Sequence, residues 1–465
     1  MRKFLFFLSV ILSLQSWAQQ DSLVLGFKEY LGYVKKHHPI AKQAQLTLSI
    51  GQAQLLKARG GFDPKVEVDY TRKEFIDTQY WERLNATFKI PTYFGIEFKG
   101  GYEQYEGTYI NPSETVPDNG LYSAGVSMSI LDGFWANERM ATLRKAKFFR
   151  ERSKAEQDLL VNQVLYNAAV AYFDWVQAYG EAQVYVDFLE NAEIRFRGVK
   201  QAALVGDKAM IDTVEAKIVV ENRQLSLEQA QVSLMKKRLE LSNFLWINDI
   251  PVELKEGIAP DNELALELDE TLEINGLPLD SFTIDNHPKL RSLEFKIKEL
   301  LVDKRLKTNK LLPKLDVEYN FLTTEPDQIN SFVPENYKGG VSFNFPLFLR
   351  KERGDLRLAK FKLRDAEFER DNAQVEIRNK VLAIYGELDS FDRQNVYIDQ
   401  IVRDYNTLLV GEERKFGVGE SSLFILNSRE NKLIDAELKR LSVRNKFYKA
   451  KANLFKSLAI NPENL

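Results

Sequence analysis

Pro64-Lys65-Val66-Glu67-Val68-Asp69-Tyr70 is matched 249 residues later by Pro313-Lys314-Leu315-Asp316-Val317-Glu318-Tyr319. Each copy of this stretch alternates apolar with charged side chains. Successive side chains of a strand point to opposite faces, so the alternation predicts a strand with one apolar and one polar face. The recurrence predicts that the chain is built twice. Working outward, His38-Pro39 and His287-Pro288 lie at the same offset of 249. Further on, Val184-Tyr185-Val186-Asp187 matches Val396-Tyr397-Ile398-Asp399, and Val205-Gly206-Asp207 matches Val418-Gly419-Glu420, at offsets of 212 and 213. The chain is therefore a tandem duplication whose first copy is longer by about 36 residues.

Each copy reads in one order: a helix (about 39–59 and 288–309), a strand region (62–131 and 312–348), then a very long helical stretch (135–249 and 350–461). The first copy spans 19–249 and the second 286–465. Residues 250–285 join them as an acidic linker. With Asp249 that segment carries eleven acidic residues against one lysine, which predicts a surface segment with short helices.

The period of two continues through both strand regions. In the first, Leu84, Ala86, Phe88 and Ile90 alternate with Asn85, Thr87 and Lys89. Phe94, Ile96, Phe98 and Tyr102 alternate with Glu97, Lys99 and Glu103, and Tyr122, Ala124, Val126, Met128 and Ile130 with Ser123, Ser127 and Ser129. In the second, Val341, Phe343 and Phe345 stand against Ser342 and Asn344. A soluble sandwich and a membrane barrel both produce this pattern. Aromatic residues at the strand ends (Tyr80, Trp81, Tyr93, Phe94, Tyr105, Tyr109, Tyr122) favour the barrel, with lipid outside and water inside. A bilayer tolerates no open sheet edge, and four to six strands enclose no useful lumen, so several chains must pool their strands.

The helical stretches point the same way. No proline lies between Pro117 and Pro251 or between Pro346 and Pro462. From Ala136 to Ile250 only Gly180, Gly198 and Gly206 interrupt good helix formers. A continuous helix over residues 136–205 would reach roughly 100 Å at 1.5 Å per residue. Apolar residues keep coiled-coil spacing, as at Leu225, Val232 and Leu239, or Ile434, Leu438, Leu441, Tyr448, Ala452 and Phe455. Glycines at 198–206 and 411–419 sit midway along each stretch and predict the reversal of a helical hairpin.

The N-terminus reads as an export signal. Met1-Arg2-Lys3 precedes the apolar run Phe4–Leu14 and the small-x-small site Ser16-Trp17-Ala18, which predicts cleavage after Ala18 and a signal peptide over 1–18. No later apolar run approaches the length of a membrane-spanning helix. With no cysteine there is no disulfide framework, thiolate nucleophile or lipidated cysteine. A net charge of −3 with 28% charged residues, evenly mixed, offers nothing to nucleic acid.

In order and duplication these features resemble the TolC family of outer membrane efflux proteins over essentially the whole mature chain. The resemblance rests on His38-Pro39-Ile40 and His287-Pro288-Lys289-Leu290, and on the strand-region ends Ser129-Ile130-Leu131-Asp132-Gly133-Phe134 and Phe345-Pro346-Leu347-Phe348. It rests also on the hairpin tips Val205-Gly206-Asp207 and Phe416-Gly417-Val418-Gly419-Glu420. The implied fold is mainly helical with some strands: a tandem-repeat protomer of coiled-coil hairpins whose transmembrane strands, conventionally four, join one trimeric barrel. The resemblance implies a homotrimer in the outer membrane with a periplasmic extension, lipid around its barrel and no cofactor. Its tips dock on a periplasmic adaptor, which connects it to an inner-membrane pump of the resistance-nodulation-division type or to a secretion ATPase. Val205, Gly206, Asp207, Gly417, Val418, Gly419 and Glu420 are the residues this assigns to docking, and plain turn chemistry accounts for the glycines as well. Asp212 stands where such channels carry a gate carboxylate at their periplasmic end, and Phe416 where they carry a tyrosine. The second copy departs from the pattern, with Ile425 and Ser428 at its acidic positions.

Residues 80–105 have no counterpart in the second copy. They either widen the barrel or form a hairpin outside the membrane. Among other functions, an enzyme finds no support: the three histidines, His37, His38 and His287, are read at helix starts before or beside proline, where capping explains them, and no phosphate loop, nucleophile elbow or paired-histidine motif is present. A monomeric porin lacks strands, and an exported coiled-coil rod leaves the strands unexplained. Small-molecule efflux is the favoured use, with type I protein secretion as its alternative.

Overall fold

The computed structural model describes residues 23–131, 136–261, 264–274 and 284–462. The export signal expected at 1–18 lies outside them. In chain order the elements are β1 (Val24–Leu25), α1 (Phe27–His37), α2 (Pro39–Arg59), β2 (Lys65–Phe75), β3 (Thr78–Pro91), β4 (Ile96–Glu106) and β5 (Leu121–Ser129). Next come α3 (Glu138–Leu204), α4 (Met210–Ser242), β6 (Trp246–Ile247), β7 (Ile250–Pro251), β8 (Ala259–Pro260) and α5 (Leu264–Thr271). The second copy supplies α6 (Pro288–Asn309), β9 (Lys314–Thr323), β10 (Tyr337–Asn344), α7 (Arg350–Gly417) and α8 (Leu423–Leu458). The helices α3 and α7 run for 67 and 68 residues. Gly180, Gly198 and Gly411 lie inside them, so of the glycines expected to mark reversals only the last of each cluster does so.

The duplication persists at the level of single hydrogen bonds. His38 and His287 each precede a helix-opening proline. The Nδ1 of His38 accepts the Ile40 N–H at 3.2 Å and that of His287 accepts the Lys289 N–H at 3.1 Å, again 249 residues apart. Burial holds the His38 imidazole below the ordinary histidine pKa, which keeps its accepting lone pair free. These are capping roles, as the sequence predicts for both, whereas His37, also expected at a helix start, is the last residue of α1.

Two compact units each draw on both copies. The first takes the described residues of Met1–Gln43, Leu159–Thr283 and Ile377–Leu465. Its core is aromatic: Phe27 packs on Tyr172 and Phe173 at 5.2 Å between centroids, and Tyr172 on Tyr30 and Trp175 at 5.5 Å. All five rings are essentially buried, each contributing roughly 1.5–3 kcal/mol. The Tyr172 hydroxyl donates to the Leu25 carbonyl at 2.7 Å. The acidic segment between the copies joins this core through Leu264, Leu268 and Leu272, while β8 pairs with β1 in parallel and Asp269 meets Lys451 at 2.7 Å. It is therefore anchored by buried leucines as well as exposed by its charges.

The second unit, Ala44–Asp158 and Ile284–Glu376, holds one antiparallel sheet of six strands in the order β10-β9-β5-β4-β3-β2. The stretch without a counterpart, β3 and β4, lies inside the sheet between β2 and β5 and is hydrogen-bonded on both sides. Register carries the alternation across all six strands. One row runs Val66, Phe88, Gly100, Ala124, Phe321, Tyr337, and the adjacent row on the other face runs Lys65, Lys89, Lys99, Gly125, Asn320, Lys338. On the polar face cross-strand ion pairs balance charge: Lys89 with Glu67 at 2.5 Å, Lys99 with Glu318 at 3.2 Å and Lys338 with Glu103 at 3.0 Å. The apolar face is covered by nothing among the described residues. Val66, Phe98 and Phe343 are 72%, 54% and 66% exposed. At the helix-proximal end residues 92–95 join β3 to β4, and at the opposite end the two-residue turn Ile76-Asp77 lies with the long loops 107–120 and 324–336.

Candidate functional site

The long helices reverse in two turns of equal length, residues 205–209 and 418–422, both within the first unit. A helix ends well when its last carbonyls find N–H donors beyond it, which requires a residue in left-handed conformation. Gly206 and Gly419 supply it, with φ of +88° and +81°. In the first turn the Asp207 N–H donates to the Ala202 carbonyl at 2.9 Å and the Gly206 N–H to that of Ala203 at 3.2 Å. In the second, the Glu420 N–H donates to Lys415 at 2.8 Å and the Gly419 N–H to Phe416 at 3.2 Å. The two tips are thus the same motif built twice.

The helices that leave the two turns start differently. Ser422 caps α8 by accepting the Ile425 N–H at 3.4 Å. The corresponding residue before α4 is Ala209, which offers no side-chain cap. Asp212 instead places a carboxylate in the first turn of α4, where the exposed N–H groups favour negative charge. Around the turns apolar side chains stand in solvent: Val205, Met210 and Ile211 at 65–69% exposure, Val418 and Phe424 at 72% and 73%. Isolated exposed apolar residues are ordinary, but a cluster on two adjacent turns calls for a partner.

Of the residues singled out in the sequence, Val205, Gly206, Asp207, Gly417, Val418, Gly419 and Glu420 all lie at the exposed tips. Phe416 is half-buried between the hairpins, packed against Val199, Ala216 and Leu423, with the Lys208 ammonium 4.3 Å from its ring centre. Asp212 is half-exposed at the head of α4.

One group escaped the sequence reading. Glu430 of α8 is 1% exposed at its side chain and receives Arg195 of α3 in a two-pronged pair, at 3.1 and 3.0 Å. Arg223 of α4 approaches the same carboxylate at 3.5 Å and also donates to Asn431. Asn427 accepts from Arg195 at 3.3 Å and donates to Glu215 at 3.4 Å. One buried carboxylate thereby ties both helices of the first hairpin to the second, a few turns behind the tips. The signal was present: Glu430 falls on the apolar stripe of Leu423, Leu426, Leu433 and Ile434, where a charge is out of place.

Residues 281–459, nearly all of the second copy, match the family described as Outer membrane efflux protein. Over that copy the chain is similar to the outer membrane efflux proteins. Members of this family are channels and not enzymes. No curated protein matches the chain. Among solved structures, the Campylobacter jejuni CmeC outer membrane channel is similar over 93% of this chain and 85% of its own, at 15% identity and a TM-score of 0.66. The open state of the Neisseria gonorrhoeae MtrE outer membrane channel gives 15% identity and 0.66, over 93% and 88%. The Vibrio cholerae outer membrane protein VceC gives 12% identity and 0.64, over 93% and 96%. At such identities the likeness establishes a TolC-like fold: long helical hairpins from two copies, with strands from both in one sheet.

Proposed function

We propose that the chain is one protomer of a homotrimeric outer-membrane exit duct in a tripartite efflux system, passing small molecules from an inner-membrane pump and periplasmic adaptor to the exterior. The observation that carries this reading is the six-stranded sheet, polar and ion-paired on one face, apolar and uncovered on the other. Water would penalise that apolar face, whereas lipid accepts it. Uncovered rows on the helices call for sister subunits: Leu225, Val232 and Leu239 recur every seven residues on α4 at 58%, 47% and 42% exposure. No helix among the described residues is long and apolar enough to cross a membrane, so attachment falls to the strands. Gradient fractionation of a Gram-negative host should place the protein with outer membranes as a trimer. Recovery as a monomer in the water-soluble fraction removes the reading.

The tips are the proposed adaptor contact and Asp212, with Phe416 behind it, the proposed periplasmic gate. Gly206→Glu combined with Gly419→Glu puts charge on both apolar tips and strains both turns by about 1 kcal/mol each. Trimers should still form while export is lost, read as drug susceptibility equal to that of a strain without the duct. Unchanged susceptibility takes the tips out of docking. Three Asp212 carboxylates around a narrow axis would repel one another and attract cations. Asp212→Ala should therefore lower cation selectivity in planar-bilayer recordings, and selectivity equal to the parent leaves Asp212 with its helix-end role alone.

A further inference from the structure

The sheet ends in two open edges. Every residue of β2 and of β10 is exposed, leaving two rows of backbone donors and acceptors that a bilayer would not tolerate. The duplication provides a template for what covers them. β2 and β9 are duplicates at an offset of 249. β5 and β10 are duplicates at an offset of 215, through Gly125-Val126-Ser127 and Gly340-Val341-Ser342. Within the chain, β5 of the first copy already pairs with β9 of the second, in the register Gly125 to Asn320, Val126 to Tyr319, Ser127 to Glu318 and Met128 to Val317. Moving each partner to its duplicate pairs Gly340 with Thr71, Val341 with Tyr70, Ser342 with Asp69 and Phe343 with Val68.

Two observations support the transfer. Faces match at each position: apolar Val341 and Phe343 meet apolar Tyr70 and Val68, polar Ser342 meets Asp69. A slip of one residue would set Phe343 against Asp69. Direction matches too, because six alternating strands leave β2 and β10 antiparallel, and the inserted β3–β4 pair, being even in number, does not disturb this. We infer that β2 of one copy pairs with β10 of the next in this register, so that three copies close a barrel of eighteen strands. Four strands per protomer would make twelve. Since diameter grows about linearly with strand number, the exit is about 1.5-fold wider. The inference rests on the trimeric-duct reading and adds to it the register of the seam and the size of the mouth.

The two glycines give the seam a marker. A Cβ at Gly125 would crowd the Tyr319 carbonyl and stand 2.5 Å from the Asn320 Cα, whereas one at Gly340 meets nothing within 4 Å. In the ring, Gly340 acquires the crowding that Gly125 already has. Gly340→Val should leave the chain exported and folded yet reduce assembled trimer about tenfold, an overpacking effect confined to the seam.

The chain has no cysteine, so introduced pairs report alone. Asp69→Cys with Ser342→Cys, and Val68→Cys with Phe343→Cys, occupy adjacent pairs of an antiparallel ladder, both within disulfide reach. After mild oxidation of intact outer membranes with diamide, the expected result is covalent dimers and trimers on non-reducing gels from either pair. Lys65→Cys with Ser342→Cys, four residues out of register, should give none. Trimers that form without cross-linking at the first two pairs, or that cross-link only at the shifted pair, overturn the seam while leaving the duct reading intact. A disulfide within single chains overturns it as well. Absence of any trimer for the unmodified protein overturns the duct reading instead. Should the cysteine variants fail to assemble, electron cryo-microscopy of the unmodified trimer in nanodiscs counts strands directly: eighteen supports the inference and twelve ends it.

Discussion

Glu430→Ala should lower stability by about 3–5 kcal/mol, because it removes from a buried site the one carboxylate that pairs with both Arg195 and Arg223. Both guanidiniums are nearly buried, at 12% and 11% side-chain exposure, and Glu430 is the carboxylate that meets both, Glu413 reaching only Arg195 at 4.0 Å. Glu430→Gln keeps part of the hydrogen bonding and should fall between. The triple replacement of Arg195, Arg223 and Glu430 by methionine or leucine should recover most of the loss, since removing all three charges leaves nothing unpaired. Thermal unfolding of the purified protein reads these differences. The same carboxylate ties the two hairpins just behind the tips, so Glu430→Ala should also let bulky antibiotics leak in, measured as hypersusceptibility. A Glu430→Ala protein as stable as its parent would dismiss the tie.

Gly125→Val should cost about 3 kcal/mol or more and abolish the assembled protein. Gly125 faces Asn320 across the pairing that joins strands of the two copies, and the atoms in the way are largely backbone, which has nowhere to retreat. Gly100→Ala is the control: its Cβ would lie 3.9 Å from the nearest atom, the Ser123 carbonyl oxygen, at ordinary contact distance. Levels of heat-modifiable trimer in the outer membrane distinguish the two. Equal assembly of both variants would mean that β5 and β9 do not approach as closely as the register requires.

Much of this architecture is legible in the chain because it is written in short periods. Alternation at Val66–Tyr70 and Leu315–Tyr319 needs only the pleat of a strand, and the long helices need only the absence of proline. The His-Pro caps and the glycine turns are also local, each satisfied by atoms a few residues away. The helix Phe27–His37 was readable and missed: Phe27, Tyr30, Leu31 and Val34 mark one buried face at helical spacing. So was the correspondence of Gly125-Val126-Ser127 with Gly340-Val341-Ser342, which locates the extra hairpin between β2 and β5.

The sequence by itself determined the two copies, their strands and hairpins, and the polarity of each face, since these depend on spacing along the chain. The tertiary structure alone decided that β3 and β4 enter the sheet, that β5 meets β9, and that Glu430 lies beneath two arginines from another hairpin. The last two outcomes depend on hydrogen bonds and charges brought together across some two hundred residues, where no local period constrains the partner and only the closed register of neighbouring strands and helices does.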